Sequence, residues 1–171
     1  SGALELVREA LLEPLDGGGK LVLSSGLAFG TGSAFGDLEP QFLERFGIDT
    51  VFRGSDGSTN FALSLQDTIQ ADVHPGLTWF RMLSLGLRPI MECFRSVDDG
   101  ATQFLYFYPE GTFERGGFTN TERFDIGVAH ENAAGSRTAY VSFPIGLPIN
   151  SNQGENETEI LEILKLVGIL P

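Results

Sequence analysis

Apolar positions along the chain recur at two spacings, and the spacing changes along its length. In the first segment Leu4, Val7, Leu11 and Leu15 fall at helical intervals, with Glu5, Arg8, Glu9 and Glu13 between them. That pattern predicts an amphipathic helix, closed by Pro14 and the turn Asp16-Gly17-Gly18-Gly19. Leu21, Leu23, Leu27 and Phe29 then predict a strand over 20–29, followed by a glycine-rich loop. Asp37 is placed to cap a short helix that runs to Phe46, with Pro40 in its first turn.

Beyond residue 50 the period becomes two. Segments 50–53 and 59–69 flank Gly54-Ser55-Asp56-Gly57-Ser58, and 88–97 and 101–108 flank Asp98-Asp99-Gly100. Each arrangement predicts a hairpin. A third hairpin joins 122–131 to 137–145 through Asn132-Ala133-Ala134-Gly135-Ser136. Phe104 to Tyr108 is an unbroken apolar run, so that strand is expected to be covered on both faces. Between them, 77–87 is apolar and bounded by His74-Pro75-Gly76 and by Gly86 and Pro89, which suits a short helix. Asn156 with Glu159 opens a last helix whose buried stripe is Ile160, Ile163, Leu164 and Val167, and Gly168 ends it.

Together these elements predict one domain over 1–171 of the α+β class. It is a curved, mostly antiparallel sheet of about seven strands, as a half-open barrel or a single layer, with the N-terminal and C-terminal helices packed on it. Tight turns between strands argue against βαβ crossovers.

Charge then narrows the function. With 23 acids against 11 bases the net charge is −12, so nucleic acid and anionic membrane surfaces are not expected partners. No stretch of about twenty apolar residues predicts a membrane span, and the acidic start of the chain does not resemble a signal peptide. The single cysteine, Cys93, lies in an apolar strand and reads as core. A reducing, cytoplasmic setting is expected.

Gly26-Leu27-Ala28-Phe29-Gly30-Thr31-Gly32 follows an apolar strand and precedes a helix. Its three-glycine spacing resembles the nucleotide loop of short-chain dehydrogenases, in which backbone amides approach a pyrophosphate. The resemblance spans about a dozen residues. The catalytic Tyr-x-x-x-Lys of that family is absent, since no tyrosine here has a lysine four residues later. No cofactor and no metal are expected.

The chemistry-bearing candidates are few. His74 follows Asp72 by two residues, an arrangement in which the acid orients the imidazole as a base, and His130 ends the apolar face of its strand. Fourteen Phe, three Tyr and one Trp give more aromatic surface than a thin layer needs. Trp79, Arg95, Tyr106, Tyr108, Phe124, His130 and Tyr140 are the expected ligand-contacting set, with Arg81 and Arg88 also at the rim.

Three functions follow in order. The first is a non-catalytic module that binds a partner protein or an apolar small molecule on an aromatic sheet face or cavity, as a possible homodimer. The second is a small lyase or isomerase using the His74 and Asp72 pair. The third is an acidic immunity-type or nucleic-acid-mimic protein that neutralises a basic partner.

Overall fold

The structure is a computed structural model that describes residues 2–25, 28–29, 35–52, 60–62, 68–69, 80–81, 90–97, 99–107, 124–142, 161, 163–165 and 167–171. The chain is a mixed α+β fold built around a six-stranded, mostly antiparallel sheet. Helix α1 (Gly2–Asp16) leads into strand β1 (Lys20–Ser24), and helix α2 (Glu39–Phe46) into β2 (Ile48–Val51). The short strands β3 (Asn60–Ala62), β4 (Thr68–Ile69), β5 (Phe80–Arg81) and β6 (Ile90–Glu92) precede β7 (Phe94–Ser96), β8 (Ala101–Phe107), β9 (Phe124–Glu131) and β10 (Arg137–Val141). In the main sheet the order is β1-β10-β9-β7-β2, with β8 also on β9. β3 pairs with β6 and β4 with β5 as separate two-stranded ribbons.

The hairpin of β9 and β10 forms as the alternation predicts, with Thr138 opposite His130 and Tyr140 opposite Val128. Its loop is built by Asn132, whose Oδ1 accepts the amides of Ala134 at 3.0 Å and Ser136 at 2.9 Å. Gly135 supplies the left-handed residue, at φ +80.

Among the described residues the other two predicted hairpins are not paired. β2 pairs with β7 rather than with β3, and β3 pairs with β6. The strands on either side of Asp98-Asp99-Gly100 do not pair with each other: β7 joins β2 and meets β9 at Phe94, whereas β8 lies along β9. A glycine-acid turn dictates a local reversal of the chain, but burial of the strand faces chooses the neighbour. The strand expected over 20–29 is shorter, and β1 pairs parallel with β10.

Helix boundaries also shift. Asp37 lies in a 3₁₀ turn (Gly36–Leu38), and α2 begins after Leu38 with no side-chain cap and with Pro40 in its first turn. α2 ends at Gly47, left-handed at φ +67, whose amide donates to the carbonyls of Glu44 and Leu43. α1 is rotated from the face its spacing predicts, burying Leu15 of the predicted stripe but Leu12 in place of Val7 and Leu11. Leu12 and Leu15 are buried, whereas Val7 is 58% and Leu11 38% exposed. Among the C-terminal residues described, 161 and 163–165 are helical, with Ile163 and Val167 buried. Gly168 closes that turn as expected. It is left-handed at φ +67, its amide donates to Lys165, and the Ile169 amide reaches back to Leu164.

The core lies between α2 and one face of the sheet. Phe42 and Phe46 of α2 meet Phe29, Phe35, Phe94, Val128 and Tyr140, with Leu12 of α1 at the edge. Phe35 stacks on Phe42 at 3.9 Å between centroids, and Phe29 meets Tyr140 edge-on at 5.1 Å. Residues 125–129 and 138–142 are all buried, so the β9–β10 pair is covered on both faces. Cys93 is buried, as read from its apolar strand. Among the described residues no helix is long and apolar enough to cross a membrane.

Candidate functional site

Two polar clusters rest on this frame. The first is fully enclosed. Glu92 ends β6 in the run Ile90-Met91-Glu92-Cys93-Phe94, and its side chain is 0% exposed. A carboxyl group at that depth requires donors, and three converge on it. The Ala28 amide donates to Oε2 at 3.0 Å, the Phe29 amide to Oε1 at 3.0 Å, and the Tyr140 hydroxyl lies 2.5 Å from Oε2. The same hydroxyl is 2.9 Å from the Ser25 carbonyl, so its single proton has two acceptors within reach.

Burial pushes the Tyr140 phenol well above its ordinary pKa, and the charge and hydrogen bond of Glu92 add to that, followed by Cys93. Tyr140 is therefore a neutral donor. The glycine-rich stretch that resembles a nucleotide loop turns two of its amides, those of Ala28 and Phe29, onto the chain's own carboxylate. Neither Glu92 nor Tyr140 lines the concavity described next, and their chemistry is that of a clamp fastening Ser25, Ala28 and Phe29 to β6 and β10.

A second buried acid works in the same way. Asp125 of β9 accepts the Ser96 amide at 3.1 Å and the Ser96 hydroxyl at 2.9 Å, tying β9 to β7. Sequence reasoning missed both acids as structural groups. The available signal was an acid inside an otherwise apolar strand, which cannot be buried without partners.

The second cluster surrounds His130. Its Nδ1 lies 3.0 Å from the Arg45 carbonyl in the last turn of α2, and the Thr138 hydroxyl donates to that carbonyl at 2.8 Å. The ring fills the space beside Gly47, where an added Cβ would come within 2.7 Å of His130 Cγ. The Arg45 side chain turns outward onto Asp16, with Nη2 at 2.7 Å from Oδ1. Two overlapping concavities of about 590 and 520 Å³ share Gly100, His130, Glu131, Asn132 and Ala133. Their remaining lining includes Asp16, Glu44 and Asp99 beside Arg45 and Arg137, so charged groups of both signs border a surface that is otherwise part apolar.

The remaining candidates are dispersed. Tyr140 sits two residues from Thr138 on β10, but its ring is 0% exposed inside the aromatic core. Arg95 is exposed on β7 with its guanidinium 5.8 Å from the centre of the Phe52 ring. Tyr106 and Phe124 lie on the paired strands β8 and β9, where their backbone registers are opposite Asp125 and Phe107. Arg81 is in β5. Asp72, His74, Trp79, Tyr108 and Arg88 lie outside the described residues. Among the described residues no three His, Cys, Asp or Glu side chains come together as metal ligands.

One surface feature was not expected. The residues that α1 turns outward include Leu6, 67% exposed, together with Val7 and Leu11. No protein-family model, curated protein or solved structure matches the chain.

Proposed function

We propose that this chain is a non-catalytic interaction module that docks a partner protein, and that the contact is made by the outer face of α1. The observation that carries this reading is the exposure of Leu6 and Val7, with Leu11 one turn beyond Val7, on a helix whose opposite side is already seated on the core through Leu12 and Leu15. Scattered exposed leucines need no explanation, whereas a continuous apolar strip marks an interaction site. The described aromatic rings do not offer such a strip, because Phe29, Phe35, Phe42, Phe46, Phe94 and Tyr140 are buried against one another. The buried Glu92 and Tyr140 are occupied as structural groups, which also favours binding over catalysis.

Photo-crosslinking tests the reading. A benzophenone amino acid at position 6 is expected to join the chain to another protein in cells. The same group at the exposed position 44, in the last turn of α2, is expected to give no such product. Equal yields from both positions, or none from position 6, would contradict the assignment.

A further inference from the structure

Accepting α1 as the docking face, we infer that its partner presents a basic amphipathic helix, with apolar anchors bordered by Lys or Arg. At about 100° per residue, Leu6, Ala10, Pro14, Val7 and Leu11 form one outward strip, and Glu9 and Glu13 border it on one side. Both acids are exposed. Their charge is not offset by a base on that side of the helix. Arg8, the one base in α1, is turned toward the protein, where Nη1 lies 3.4 Å from Glu5 Oε2 and beside Gly36. Asp16, at the end of the helix, is held by Arg45.

An apolar strip with a negative border is complementary to an apolar strip with a positive one. Leu6 with Ala10, and Val7 with Leu11, have the four-residue spacing against which a second helix seats its own side chains. A second copy of this chain fits less well, because each α1 would bring Glu9 and Glu13 to the seam, on molecules that each carry a net charge of −12.

The experiment uses the full chain and two synthetic helical peptides that share leucine anchors, one bordered by lysine and the other by glutamine. Binding is followed by fluorescence anisotropy at about 50 and about 300 mM salt. The lysine peptide is expected to bind at least about tenfold more tightly than the glutamine peptide at low salt, and to lose that advantage at high salt. Replacing Glu9→Gln with Glu13→Gln is expected to remove the difference between the peptides. Replacing Leu6→Gln, Val7→Gln and Leu11→Gln together is expected to abolish binding of both.

Equal affinity of the two peptides, with dependence on Leu6, Val7 and Leu11 retained, would overturn the basic partner and leave the docking face standing. A concentration-dependent dimer, dispersed by the same triple substitution, would overturn it in favour of a second copy. Undiminished lysine-peptide binding by the triple variant would remove the docking face itself.

Discussion

The Tyr140 hydroxyl stands 2.5 Å from Oε2 of Glu92, two residues 48 positions apart that meet in the interior of the protein. Through that contact, and through the amides of Ala28 and Phe29, one carboxyl group joins β6, β10 and the segment after β1. The arrangement is a buried, charge-assisted network, which is costly to break from any side.

Removing the acid is the more severe change. Glu92→Ala takes away the shared acceptor of two amides and a phenol, and is expected to destabilise the protein by roughly 3 kcal/mol or more. Tyr140→Phe keeps the ring in the aromatic core and removes only the hydroxyl, at an expected cost of about 1–3 kcal/mol. Urea unfolding of the two variants beside the parent checks the ranking.

The alkaline limb of stability should carry the signature of Tyr140. Its folded pKa is raised by burial and by Glu92, while an unfolded tyrosine ionises near pH ~10. The neutral phenol's contribution is therefore complete below about pH 10 and is lost as pH climbs through the folded value. Stability measured against pH is expected to fall more steeply above about pH 10 in the parent than in Tyr140→Phe. Ultraviolet difference titration is expected to show that the variant lacks one of the three tyrosine ionisations, a step displaced above the ordinary tyrosine value of about 10.

Gly47 tests how α2 is docked. Gly47→Ala places a Cβ on a backbone at φ +67, within 2.7–2.8 Å of the His130 ring and 2.9 Å of its Cβ. Left-handed strain alone costs about 1–2 kcal/mol, and displacement of the ring adds to it. In the His130→Ala background the ring is gone but the Cβ at 2.9 Å remains, so the Gly47→Ala penalty is expected to shrink while staying above the strain alone. A double-mutant cycle by thermal unfolding measures the difference.

These couplings show where sequence is informative. The hairpin of β9 and β10, the Gly168 stop and the burial of Cys93 were legible because alternation, a left-handed glycine and an apolar strand are local signals. The inward face of α1 was not. The helix carries apolar residues around much of its circumference, with Leu12 and Leu15 buried, Leu6 and Val7 exposed and Leu11 at the margin between them, and only packing decides which are covered. Turn residues at 54–58 and 98–100 did not give the strand neighbours, because β2, β7 and β8 find partners distant in sequence. The Glu92 node was hidden for the same reason. Its donors at Ala28 and Phe29 lie 64 and 63 residues away, and no local pattern connects them.

α1 leaves Leu6, Val7 and Leu11 exposed to solvent. The most direct test measures, on one preparation, the unfolding free energy of the triple variant Leu6→Gln, Val7→Gln, Leu11→Gln and its affinity for the lysine-bordered peptide. Glutamine retains helix propensity, so stability is expected to stay within about 1 kcal/mol of the parent while binding is lost. A variant destabilised by more than about 2 kcal/mol would show that these side chains serve the core, and a stable variant that still binds would show that the helix is not the contact.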